Sequence, residues 1–199
     1  MAHPDNRFHK IPMPDADVWY APAFFTPEQS ELYYNQLLEQ VNWQQEHIKL
    51  FGKAVVLPRL TAWYGDKSYT YSGLKNQPQP WLPLLLNLKT QVELATNHTY
   101  NSVLLNLYQD GQSGMGWHSD DEPELGAEPT IASVSFGAPR RFGFRHKQNR
   151  AIKNLYLTVA PGSVVLMQGP TQHNWQHAIP KTAKPTGKRI NLTFRSISG

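Results

Sequence analysis

"RINLTFR", Arg189 to Arg195, changes character at every step. Arg189, Asn191, Thr193 and Arg195 are polar, and Ile190, Leu192 and Phe194 between them are apolar. Successive side chains of a β-strand point to opposite faces, so this stretch predicts a strand with one apolar and one polar face. Such a strand commonly turns its polar face to water. Two arginines on that face suggest another use, because a guanidinium grips a carboxylate through paired hydrogen bonds.

The same alternation recurs upstream. In "NLY" Asn106 and Tyr108 share one face, with Leu105 and Leu107 opposite. "SVLLNLYQ", "IASVSFG", "RFGFRHK", "NLYLTVA" and "SVVLMQ" are short, rich in β-formers and separated by turn sequences such as "APG" and "DGQSG". Many strands at close spacing predict a sandwich or jelly roll rather than a parallel α/β sheet.

The first half reads as helical. "TPEQSELYYNQLLEQV" opens with Thr26 as cap, Pro27 in the first turn and Gln29 placed to complete a capping box. Leu32, Leu38 and Val41, with Tyr34 and Leu37 beside them, form its apolar stripe. A second helix is expected from Leu82 to Thr96, with Leu84, Leu85, Leu88, Val92 and Ala95 at helical spacing. Residues 1–23 are polar and proline-rich and read as an arm. No linker interrupts the remainder, so 24–199 is expected to be one α+β domain, with helices in 24–100 and a β core in 101–199.

Composition narrows the possibilities. The chain has 199 residues, 40% of them hydrophobic and 12% aromatic, enough for a sizeable core. Its formal charge of +4 and pI of about 9.2 hint only weakly at an anionic partner. The absence of cysteine excludes disulfides, thiolate zinc sites and iron–sulfur clusters. The N-terminus lacks the apolar core of a signal peptide, and the longest apolar stretch, "WLPLLLNL", is too short to span a bilayer. A soluble intracellular protein, cytoplasmic or nuclear according to its source, is expected.

"GWHSDDEPEL", Gly116 to Leu125, raises the question of a metal. His118 and Asp120 are two residues apart and share one side of a strand, and "PTQHNWQHAIP" adds His173 and His177. Two histidines and one carboxylate on one face of an ion suit non-haem Fe(II) oxygenases, and zinc hydrolysis can use the same ligands. Spacing alone weighs equally a structural reading of hydrogen-bonded histidines and a solvated acidic turn.

Taken in order, "NSVLLNLYQDG", "GWHSDDEPELG", "PTIASVSFGAPRRFGFRHK", "SVVLMQGPTQHNWQHAIP" and "RINLTFR" resemble the AlkB family of Fe(II)- and 2-oxoglutarate-dependent nucleic-acid dealkylating dioxygenases. Upstream, "LFGKAVVLPRLTAWYGDKSYTYSG" is similar to the branch that repairs duplex DNA in animals. The resemblance implies a double-stranded β-helix (jelly-roll) core, with a nucleotide-recognition lid among residues 24–100. It makes His118, Asp120 and His177 the iron ligands and leaves His173 either to support a ligand from behind or to pack. Arg189 would meet the far carboxylate of 2-oxoglutarate, with Asn106, Tyr108, Asn191 and Arg195 engaging the rest.

The implied reaction consumes O₂ and 2-oxoglutarate, releases succinate and CO₂, and hydroxylates an N-alkyl group that leaves as aldehyde. The implied partner of this monomer is alkylated DNA, duplex in the first instance, with single-stranded DNA or RNA next in order. The same chemistry on a protein side chain, and a lesion-binding module without turnover, stand beside it as rival readings. A lesion on the pairing edge must be flipped out of a duplex. Tyr71 would stack on the flipped base opposite His118, Tyr69 and Glu122 would meet its edge with Asp121 in support, and Phe51 would wedge into the gap. Arg141, Arg145 and Lys147 share one face of "RRFGFRHK" and, with Arg59, are expected to contact phosphates.

Overall fold

The protein is represented by a computed structural model that describes residues 3–50, 53–66, 69–71, 74–76 and 78–198. The side chains of 47–50, 53–55, 69–71 and 74–76 lie outside that description. In chain order the strands of the first half are β1 (His9–Ile11), β2 (Asp17–Ala21), β3 (Gln44–Leu50), β4 (Lys53–Gly65), β5 (Tyr69–Tyr71) and β6 (Leu74–Asn76). Helix α1 (Pro27–Gln40) follows β2, and α2 (Pro83–Thr96) follows β6. The second half supplies β7 (Ser102–Tyr108), β8 (Met115–His118), β9 (Ile131–Gly137), β10 (Arg140–His146), β11 (Leu155–Val159) and β12 (Ser163–Gln168). The short helix α3 (Thr171–Asn174), β13 (Trp175–Ile179) and β14 (Arg189–Arg195) complete it, and a 3₁₀ turn, Pro123–Leu125, lies between β8 and β9.

Both helices begin where local chemistry directs. The Thr26 hydroxyl accepts from the Gln29 N–H at 3.2 Å, and the Gln29 side chain accepts from the Thr26 N–H at 3.0 Å, closing the capping box. Helix α2 stops at Asn97, whose left-handed φ of 52° asparagine tolerates better than most residues. The apolar stripe of α1 differs from expectation at one position. Leu32 is 54% exposed, and the buried side runs through Leu37 and Val41, with Tyr33, Tyr34 and Leu38 packed against the core.

An eight-stranded sheet runs β1-β2-β12-β9-β14-β7-β4-β3, facing a four-stranded sheet β11-β10-β13-β8, while β5 and β6 pair separately. Each of these strand pairings is antiparallel, as in a jelly roll. The expectation of helices first and strands afterwards is incomplete, since β1–β4 all join the large sheet.

Alternation divides the core into two. Val103, Leu105 and Leu107 of β7 and Ile190, Leu192 and Phe194 of β14 face α2 through Leu85, Leu88 and Val92. On the other side of the large sheet, Tyr108, Ile131, Val165 and Met167 meet Phe142 and Phe144 of β10 and Trp175 and Ile179 of β13. The polar residues of β14 enter this second layer, and all seven residues of the strand are buried. The polar face of "RINLTFR" is inside the sandwich.

Candidate metal centre and its arginines

Strand register gathers the candidate residues. On the small sheet His118 and His177 are direct cross-strand partners, and their ring centroids are 4.2 Å apart. Asp120 lies just past the end of β8. Ligand-capable atoms of His118, Asp120 and His177 all lie within 4.8 Å of one another. His173 is exposed on α3 and stands apart from this group, so the packing role expected for it does not hold.

Each of the three is held from behind. His118 Nδ1 is 2.9 Å from the Gly116 carbonyl oxygen; a proton on Nδ1 leaves Nε2 free to coordinate. The His177 ring stacks on Phe142 at 5.5 Å and 7°. The Asp120 N–H donates to Gln172 Oε1 at 2.9 Å, and Asp120 Oδ1 accepts from Arg195 Nη2 at 2.6 Å. Its other oxygen, Oδ2, is buried with no hydrogen-bond partner among the described residues.

The electrostatics favour cation binding. Burial pushes the Asp120 carboxyl up, but Arg195, His177 and His118 outweigh it and hold the group below its ordinary value. Burial, followed by the neighbouring His118, drives His177 down to about 3, so its imidazole is neutral at physiological pH. An ionised carboxylate with an orphaned buried oxygen, beside a neutral imidazole, is a donor set that fits Fe(II).

The polar faces of β7, β9 and β14 form the opposite wall. Arg189 pairs with Tyr108 in register, Asn191 with Asn106, and Arg195 with Ser102. Asn106, Tyr108, Asn191 and Arg195 line the same pocket as His118, Asp120 and His177. Arg189 is fully buried, donates from Nη2 to Ser135 Oγ at 2.9 Å, and lies 5.3 Å from the Tyr108 ring. Its Nε and Nη1 have no hydrogen-bond acceptor among the described residues. Burial lowers it to about 10, and it remains a cation at neutral pH. A buried guanidinium with unused donors suits a carboxylate brought in from outside.

Several supporting residues escaped the sequence reading. Ser133 Oγ and the Val134 carbonyl accept from Asn191 Nδ2 at 2.8 and 2.9 Å, and Gln172 holds Asp120. Arg140 donates to the carbonyls of Asp110, Ser113 and Pro180, each at 2.9 Å, tying together the neighbouring loops that follow β7 and β13. The alternation Ser133–Val134–Ser135–Phe136 was a visible signal for two inward serines.

The expected nucleic-acid residues scatter. Phe51 lies outside the described residues, and of Tyr69 and Tyr71 only the backbone, paired in β5 and β6, is described. Glu122 is half-buried and its Oε2 has no partner among the described residues. Asp121 accepts from Lys147 Nζ at 2.8 Å, so those two charges meet each other. Arg141 and Arg145 are exposed on β10 as expected. Arg59, by contrast, is 8% exposed and donates from Nε to Asn106 Oδ1 at 2.7 Å, within the pocket wall.

Residues 17–195 match the 2OG-Fe(II) oxygenase superfamily. Alpha-ketoglutarate-dependent dioxygenase alkB homolog 3 of Mus musculus is 40% identical over 184 residues, covering 88% of this chain and 64% of that protein. The chain thus spans a little under two thirds of that relative's length. DNA oxidative demethylase ALKBH2 of Homo sapiens is 40% identical over 192 residues, 91% of this chain and 73% of that protein. The Bos taurus ALKBH2 is 45% identical over 158 residues, 75% of this chain and 57% of that protein. A solved structure of OsALKBH1 superposes with a TM-score of 0.68 at 15% identity, covering 94% of this chain and all of that one, a likeness of fold.

Proposed function

The chain belongs to the 2OG-Fe(II) oxygenase superfamily, in its AlkB branch, and from that premise we propose that it is a dioxygenase removing alkyl groups from damaged bases of DNA. The substrates are N-alkylated adenine and cytosine of the 1-methyladenine and 3-methylcytosine type, in duplex DNA reached by base flipping. The protein therefore works in whichever compartment holds the DNA.

One observation carries the reading. The His118–Asp120–His177 group and the polar faces of β7 and β14 line a single pocket, with Arg189 buried beside it. A zinc hydrolase needs the first set and has no task for the second.

When bound, Fe(II) with O₂ and 2-oxoglutarate supplies the oxidant that converts an alkyl C–H to C–OH, releasing succinate and CO₂. His118, Asp120 and His177 would hold the ion, and Arg195, bonded to Asp120 Oδ1, orients that carboxylate. Arg189 would bind the far carboxylate of 2-oxoglutarate, and Tyr108, Asn106 and Asn191, brought together by the register of β7 and β14, would fix the rest of that molecule. Arg59 holds Asn106 in place. Half-buried Glu122 accepts from the exocyclic amine of the flipped base, which gives its orphaned oxygen a donor.

Mass spectrometry tests this directly. The protein is incubated with Fe(II), ascorbate and 2-oxoglutarate on duplex and single-stranded oligonucleotides carrying one 1-methyladenine, and on the RNA equivalent. Loss of the methyl group only with 2-oxoglutarate, and at least as fast on duplex DNA, is expected. Succinate without demethylation of any oligonucleotide refutes the substrate. Bound iron with neither product means a binding module, and demethylation of RNA alone moves the reaction to RNA.

A further inference from the structure

The outer face of the four-stranded sheet, away from the metal ligands, carries planar groups beside Arg141 and Arg145 that phosphate contact alone does not explain. Phe142 and Phe144 of β10 point inward, so Arg141, Gly143 and Arg145 point outward. Trp117, next to His118 on β8, lies on this outer side with Tyr156 of β11. A Cβ on Gly143 would come within 2.9 Å of Trp117 Cη2 and 2.9 Å of Tyr156 Cε1. Both rings thus overhang a strand whose side chain is missing. Arg145 Cζ lies 4.7 Å from the centroid of Trp117, Arg141 Cζ lies 3.6 Å from that of Tyr156, and Tyr156 is 38% exposed.

Two hollows that share Pro180 and Lys181 border this surface. The first is lined by Trp117, Tyr156 and Lys181, the second by Arg141, Lys181 and Lys184. Neither has a carboxylate among its lining residues, although the chain carries 15 aspartates and glutamates. Positive charge is concentrated here beside planar groups.

We propose that this outer face, from Trp117 and Tyr156 to Lys184, binds a single strand of nucleic acid, its bases stacking on the rings and guanidinium planes and its phosphates meeting the lysines and arginines. Stacking on aromatic rings and on arginine planes accepts any base, and flanking cations follow the backbone. An unpaired strand alone offers base faces, because those of a duplex are stacked on one another. An acidic protein would satisfy the charges and leave the planar surfaces without a task. The proposal rests on the reading that this chain acts on nucleic acid, and it adds to the duplex at the reaction pocket an unpaired strand on the outer face.

Fluorescence anisotropy with the full chain and an unmodified, fluorescein-labelled oligothymidylate of about twenty nucleotides tests it. Tyr156→Ala and Trp117→Ala are each expected to weaken binding about tenfold, whereas Tyr156→Phe, which keeps the ring, retains wild-type affinity. Lys184→Ala should lower the slope of log K against log salt by about 0.7, as loss of one phosphate contact predicts. Thermal unfolding of each variant checks the fold, and because Trp117 adjoins His118 the Tyr156 pair decides. Alanine variants that bind like wild type overturn the proposal. So does polyglutamate that displaces the probe as well as unlabelled oligothymidylate does, or a duplex that binds more tightly through the same residues. The probe has no alkylated base and the titration needs no iron. Ring-dependent binding by a protein inactive on 1-methyladenine would therefore keep this groove and discard the reaction, and demethylation with ring-independent binding would do the reverse.

Discussion

Replacing Arg189 by methionine should move stability and co-substrate affinity in opposite directions. The guanidinium is fully buried and its pKa is lowered to about 10, chiefly by burial. Set against an ordinary value of about 12.5, that is a cost of about 3 kcal/mol for keeping the charge in the apo protein. One hydrogen bond, to Ser135 Oγ at 2.9 Å, offsets it by about 1.5–2 kcal/mol. Methionine removes both and fills much of the same space. The apo variant should therefore be more stable by about 1 kcal/mol, a rise in melting temperature of about 3 °C for a chain of this size.

The same change deletes the proposed partner of the 2-oxoglutarate carboxylate. Two charge-assisted hydrogen bonds contribute at least about 3 kcal/mol, so affinity should fall more than a hundredfold. Differential scanning calorimetry without ligands and anaerobic calorimetric titration of 2-oxoglutarate measure the two effects. An apo variant destabilised by more than about 2 kcal/mol that still binds 2-oxoglutarate like wild type would show that Arg189 is a structural residue, and the reasoning would fall.

Further outcomes follow from other positions. Asp120→Ala should abolish turnover while leaving the circular dichroism spectrum essentially intact, and turnover retained with iron and 2-oxoglutarate would remove the ligand assignment. Phe51→Ala should slow repair of duplex more than of single-stranded substrate in a two-substrate assay, and equal losses would end its role as a wedge. Phe194 is fully buried on the helix side of β14. Its replacement by alanine should cost about 3–5 kcal/mol in denaturant melts and, below the melting point, leave 2-oxoglutarate affinity unchanged. At Asp17 burial raises the carboxyl, but bonds from Gln168, Lys10 and Trp19 outweigh it and hold it below its ordinary value. Its contribution is complete above about pH 4 and disappears as pH falls further, so the stability gap between wild type and Asp17→Asn should close in acid unfolding curves.

The strands of the second half were legible because their apolar layers are contiguous in sequence. β7, β9, β10, β11, β12 and β14 all appear where alternation places them. β2 was obscured by its proline-rich flanks, although Val18 and Tyr20 alternate inward. The metal group was legible because His118 and Asp120 are neighbours in sequence, and the AlkB likeness selected His177. Arg59 was misjudged for the opposite reason. An arginine in a strand looks solvent-facing until its acceptor is known, and Asn106 lies 47 residues away. Gln172 depended on the same kind of distant partner, Asp120, 52 residues away, which composition and spacing do not reveal.

The place of β14 in the large sheet bears on how the molecule is made. It is the last strand of that sheet in chain order, yet it lies between β9 and β7. Until it is inserted, β2, β12 and β9 form one ribbon and β7, β4 and β3 another, with two open edges between them. Synthesis from the N-terminus must therefore carry a slotted intermediate whose bare strand edges invite mispairing, and long-range closure of this kind is slow. The segment that fills the slot also brings in Arg189 and Arg195. Completion of the sheet and assembly of the proposed co-substrate pocket are one event, so a chain that stalls before it has no partly working site to offer.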